Sequence, residues 1–100
     1  MAEYRLSPLA EVDVREIAVT TISNWGAKQA RAYLEKLHNT LMILANNPSL
    51  GRKRDEIAAG IRSFPSGKHI VFYLSADQCI EVARVLHQRM DPSSQFDELT

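Results

Sequence analysis

The stretch Ala27–Asn46, AKQARAYLEKLHNTLMILAN, decides the fold. Ala30, Tyr33, Leu34, Leu37, Leu41 and Leu44 recur at spacings of 3, 1, 3, 4 and 3, the period of an α-helix that buries one stripe. Asn46-Asn47-Pro48 stops it, because proline disfavours the α conformation in the residue before it. On its N-terminal side stands Trp25-Gly26, and glycine takes the positive φ that a helix terminus favours. Further upstream, Ser7-Pro8 predicts a second helix start. The serine hydroxyl accepts a first-turn N–H, and proline lacks an N–H where none is needed. That helix is predicted over 8–25, with Ala10, Val14, Ile17, Thr21 and Trp25 as its core stripe. Two long amphipathic helices joined at Gly26 imply an antiparallel hairpin.

Past Pro48 the period changes. Residues 49–60 read as a loop carrying Gly51, Arg52-Lys53-Arg54 and Asp55-Glu56. Extended segments follow at 61–64, ended by Pro65-Ser66-Gly67, then at 68–74 and 79–87. The middle one is apolar on both faces, Ile70, Phe72 and Leu74 against Val71 and Tyr73, as a central strand requires. Short turns between them predict an antiparallel meander. Residues 3–6 make one more short strand, with Tyr4 and Leu6 on one side. The expected architecture is α+β in the order β-α-α-β-β-β, with the helical hairpin packed on one face of a mainly antiparallel sheet. The single domain is expected over 4–92, with 93–100 a polar, flexible tail.

Composition narrows the classes. With 45% apolar and 24% charged residues, the chain is neither disordered nor collagen-like. Twelve Lys and Arg balance twelve Asp and Glu, without the basic excess that gripping duplex phosphates demands. Cys79 is alone, so no intrachain disulfide forms. The residues after Met1 lack the apolar core of a signal peptide, and the apolar runs 41–45 and 70–74 fall far short of the roughly 20 residues that span a bilayer. The reading is a cytoplasmic protein without membrane contact.

Few residues suggest chemistry. His38, His69 and His87 fall on different elements, and no HExxH, CxxC or phosphate-binding glycine pattern occurs, so neither metal nor cofactor is expected. No serine sits in a GxSxG elbow, and Cys79 reads as a small apolar filler. Val12, Val19, Ile22, Met42 and Ile43 lie off the core stripes of the two helices. They form either a patch that a partner buries or a wide core stripe with scatter. Arg62, Lys68, His69, Arg84, His87 and Arg89 fall in the meander and just after it. If they converge, they suit RNA phosphates or the carboxylates of a protein partner. The plainer reading is a solvated face with Arg84 paired to a local acid.

Several marks in order carry a family resemblance. Tyr4-Arg5-Leu6-Ser7 leads into the first helix, and Trp25-Gly26 is followed by Gln29-Ala30 and Tyr33-Leu34. Asn47-Pro48 precedes Leu50-Gly51-Arg52, Arg62 opens the meander and Phe72-Tyr73 sits in its middle strand. Arg84-Val85-Leu86-His87 then runs into Arg89-Met90-Asp91. Over residues 4–92 the chain resembles the RelE/ParE toxin superfamily, its ParE branch in particular. The resemblance implies a type II toxin that poisons DNA gyrase and so replication without being an enzyme. A ParD-like antitoxin would neutralise it in a hetero-oligomer, and DNA would be touched only through that antitoxin. On this reading Val12, Val19, Ile22, Met42 and Ile43 bind antitoxin, while Arg62, Arg84, His87 and Arg89 meet the target. The alternative is a RelE-like ribosome-dependent mRNA endonuclease using His69, His87 and Arg89. RelE-like nucleases commonly place an aromatic hydroxyl near the C-terminus, whereas no tyrosine follows His87 here, and His69 stands where they carry an arginine.

Overall fold

Ser7 fixes where the first helix begins and what it packs on. In this computed structural model, which describes residues 2–97, the Ser7 hydroxyl accepts the Ala10 N–H at 3.0 Å and donates to the Ala83 carbonyl at 2.8 Å. The cap thus satisfies a first-turn donor and ties the helix to a strand far along the chain. The elements are β1 (Glu3–Leu6), α1 (Pro8–Trp25), α2 (Ala27–Asn46), a 3₁₀ turn (Pro48–Leu50), β2 (Arg52–Lys53), β3 (Ile61–Ser66), β4 (His69–Ala76), β5 (Cys79–His87) and α3 (Pro92–Asp97). Gly26, at φ 90°, separates the two long helices and donates its N–H to Ile22 O at 2.9 Å.

The sheet order is β1-β5-β4-β3-β2. β1 runs parallel to β5, and the other neighbours are antiparallel. β4 lies in the middle, as its double-sided apolar pattern predicts. Its Val71 and Tyr73 join Ile80, Val82 and Val85 of β5 against Ile17, Leu37, Leu41 and Leu44 of the hairpin. Phe72 faces the opposite side, where it packs with Ile61, Leu86 and Phe96. In the β4/β5 pairing, Phe72 stands opposite Arg84 but Tyr73 stands opposite Val82. β5 therefore carries one extra residue there, a β-bulge that re-aims the side chains around Arg84.

The structure departs from the sequence reading in four places. The loop 49–60 contains the 3₁₀ turn and β2. β3 runs through Pro65, because β2 pairs only with Arg62 and Ser63 and leaves the edge beside the proline free of ladder donors. Trp25, placed on the core stripe, is 66% exposed because it is the last residue of α1, beyond the sheet it would cover. The segment read as a flexible polar tail opens with α3, whose Phe96 is 6% exposed and meets Phe72 edge-on at 5.4 Å. One aromatic in a polar segment is enough to seat it on the back of the sheet. The rest of that expected tail, 98–100, lies outside the described residues.

Candidate functional site

A cleft of about 770 Å³ opens between the hairpin and the paired end of β4 and β5. Glu16, Thr20 and Asn24 line it from α1 at helical spacing, Tyr33 from α2, and His69 and His87 from the sheet. Asp13 and Arg84 belong to the same lining. The Asp13 carboxylate accepts Nε and Nη2 of Arg84 at 2.8 and 2.9 Å, and the Val85 N–H at 3.0 Å. Two guanidinium donors and a backbone donor on one carboxylate lock the bulge of β5 onto α1.

His69 and His87 stand directly opposite each other across the β4/β5 ladder, with ring centroids 5.3 Å apart and edge to face. The Tyr33 hydroxyl lies 2.6 Å from His69 Nδ1 and accepts the Lys68 N–H at 2.9 Å. Gly67, at φ 60°, makes this approach possible, since a Cβ there would fall 2.6 Å from the Tyr33 hydroxyl. Burial pushes the His69 pKa below its ordinary 6.5, His87 pushes it further down, and Asp13 partly offsets both. The folded chain therefore resists protonation at His69 more than the unfolded chain does. The stability that comes from this is present above pH 6.5 and is lost as the pH falls below it. Denaturation curves between pH 7.5 and about 5 should show that decline, and His69→Gln should flatten the His69 part of it. Identical pH slopes for the two proteins would contradict the assignment.

Lys68, His69, Arg84 and His87 line the cleft together, whereas Arg62 and Arg89 are not in its lining. Arg84 is 11% exposed and held by Asp13, so the plainer reading applies and Arg84 is corrected from a target contact to an internal strut. Arg62 donates to the carbonyls of Gly51 at 2.8 Å and Ser49 at 3.3 Å. It pairs with Tyr73, four residues along β4 from His69 and roughly 13 Å from it at about 3.3 Å per residue. Arg62 thus belongs to a second buried cluster, in which the Tyr73 hydroxyl donates to Pro48 O and accepts the Gly51 N–H, both at 2.8 Å. A Cβ on Gly51 would run into that ring, which explains the glycine. Burial raises the Tyr73 pKa above 10.0, against the Gly51 N–H and the Arg62 charge. His87 and His69 do meet in the cleft. Arg89 follows β5, exposed, and its backbone N–H donates to His87 Nδ1 at 3.2 Å.

On the outer face of the hairpin, Val12, Val19, Ile22 and Ile43 are exposed, Val19 at 61%, while Met42 is half-buried and contributes less open surface than expected. Three residues that matter here, Asp13, Tyr33 and Trp25, have no site role in the sequence reading. Asp13 carries a signal, since an acid beside a core stripe needs a partner and Arg84 lies in the predicted strand 79–87. Tyr33 read as plain core, and nothing local marked its hydroxyl. Among the described residues, no group of three or more His, Cys, Asp and Glu side chains forms a metal-sized site, and no helix is long and apolar enough to cross a membrane.

This fold is shared with a solved chain described as "Chromosomal ParDE TA system from P. aeruginosa". The TM-score is 0.73 at 15% identity, covering 87% of this chain and 95% of that one. In sequence, the chain is 43% identical over 91 residues to Toxin ParE1 of Mycobacterium tuberculosis, covering 90% of this chain and 93% of that protein. It is 37% identical to Toxin ParE1 of Caulobacter vibrioides, covering 91% and 94%, and 35% identical to Toxin ParE of Escherichia coli, covering 91% and 89%. The family model described as "ParE toxin of type II toxin-antitoxin system, parDE" matches residues 4–92. The chain belongs to the ParE toxin family of type II toxin–antitoxin systems.

Proposed function

We propose that this protein stops growth by binding DNA gyrase without catalysing a reaction, and that a ParD-like antitoxin neutralises it. The observation that carries the antitoxin half is the exposure of Val12, Val19 and Ile22 on α1 and of Ile43 on α2. Burying four such side chains under a partner helix removes a few hundred Å² of apolar surface, worth several kcal/mol at about 25 cal/mol per Å² before ordering costs. An antitoxin tail that folds on binding presents anchors at i, i+3, i+4 and i+7, which fit such side chains. DNA is then reached through the antitoxin, in keeping with the balanced charge of the toxin.

Val19→Glu should weaken antitoxin binding by about tenfold or more, as a charge at the centre of an apolar contact does. Its circular-dichroism spectrum should not change, because Val19 is exposed. Wild-type affinity in that variant would remove the hairpin interface. The target half is tested by supercoiling assays with purified gyrase, run beside translating ribosomes. The facing His69 and His87 in a cleft favour one second reading, an mRNA endonuclease. Cleavage of ribosome-bound mRNA, abolished by His87→Ala, would replace the gyrase reading with it.

A further inference from the structure

α1 carries two separate stripes. Thr20 and Asn24 face the cleft, whereas Val12, Val19 and Ile22 face outward, roughly 130° around the helix axis at 3.6 residues per turn, and Glu16 stands at the border between the two. A helix laid on the outer stripe lies beside the cleft and does not fill it. The mouth of the cleft holds Trp25, 66% exposed on a soluble domain, with Met90, also exposed, in the same lining. A tryptophan held at a cleft mouth by a helix end and left to solvent is the residue type that anchors protein interfaces. Beside it the lining is rich in hydrogen-bond donors. His87 Nδ1 accepts the Arg89 N–H, which leaves the proton of the neutral ring on Nε2, and Lys68 adds an exposed ammonium. The Asp13 carboxylate in the lining is already held by three donors, and Glu16 on the α1 wall is the other acid there.

We propose that this cleft is where the toxin grips its protein target, through a segment that lays a large apolar side chain on Trp25 and Met90 and a carboxylate on Lys68 and His87. The inference rests on the reading of the chain as a toxin that acts by binding. It adds that target and antitoxin contact different faces of α1, so the antitoxin neutralises by barring the approach to the cleft and not by filling it.

Trp25 is the single tryptophan of the chain, so its fluorescence reports on the cleft directly. Adding purified gyrase should shift that emission, and adding the antitoxin alone should not. Trp25→Ala and Lys68→Glu should each raise the toxin concentration for half-inhibition of supercoiling by about tenfold or more. Both should keep wild-type antitoxin affinity and melting temperature. The same variants, induced in cells without antitoxin, should lose growth arrest. Growth arrest by Trp25→Ala equal to wild type overturns the inference, as does loss of antitoxin binding in that variant. An inert Lys68→Glu overturns the carboxylate contact. If the wild-type chain itself arrests nothing, the toxin reading falls first. If it arrests growth without affecting gyrase, growth arrest by the two variants still decides the cleft.

Discussion

Replacing Asp13 with alanine is expected to cost about 3–5 kcal/mol of folding stability, the range for removing one partner of a buried ion pair. The Asp13 and Arg84 side chains are 9% and 11% exposed, so little water is at hand to take over from the carboxylate. The substitution also takes the acceptor from the Val85 N–H at the bulge of β5. At roughly 4–8 °C per kcal/mol for a domain of this size, the melting temperature should fall by about 12 °C or more. The double variant Asp13→Leu/Arg84→Met should recover much of that loss, since an apolar pair of similar volume avoids desolvating two charges. Thermal melts of the three proteins test this. An Asp13→Ala melt close to wild type would mean that the pair contributes position and not stability.

Leu37→Ala is the second large effect. Leu37 is buried on α2 within the cluster of Leu41, Leu44, Val71 and Tyr73, where hairpin and sheet meet. Truncating it should cost about 2–5 kcal/mol, the transfer term of the lost carbons plus the cavity they leave between two rigid layers. Urea titration should show a lower midpoint with an unchanged slope. Leu37→Met, which nearly conserves volume, should cost less than about 1.5 kcal/mol. A loss under 1 kcal/mol for the alanine variant would contradict the placement of α2 on the sheet.

The helices, the central strand and the hairpin-on-sheet layering are legible because each rests on periodicity. Leu34, Leu37 and Leu41 repeat at helical spacing, and Val71 to Tyr73 is apolar on both faces. Ends were harder to read, because there a single contact decides. Trp25 continues the α1 stripe in sequence, but the helix outruns its support and the ring meets water. Phe96 stands among polar residues that point to a frayed tail, yet one ring on Phe72 seats α3. Pro65 reads as a stop unless it is known that β3 has an open edge there. In the cleft, His69 and His87 could be suspected of proximity from the meander register. Arg84 is redirected by a bulge that no pattern announces, and Tyr33 reaches His69 only because Gly67 lets it approach.

The parallel pairing of β1 with β5 sets the timetable of assembly. Glu3–Leu6 pairs with Cys79–Val82, Ser7 bonds to Ala83, and Asp13 binds Arg84 and Val85. β1 is thus made well before the strand it pairs with, and the long sequence separation makes closure slow. A nascent chain cut short before β5 lacks a partner for β1, a seat for α1 and one wall of the cleft. The cleft is therefore complete only once β5 has been made, and no chain cut short before β5 is able to grip anything through it.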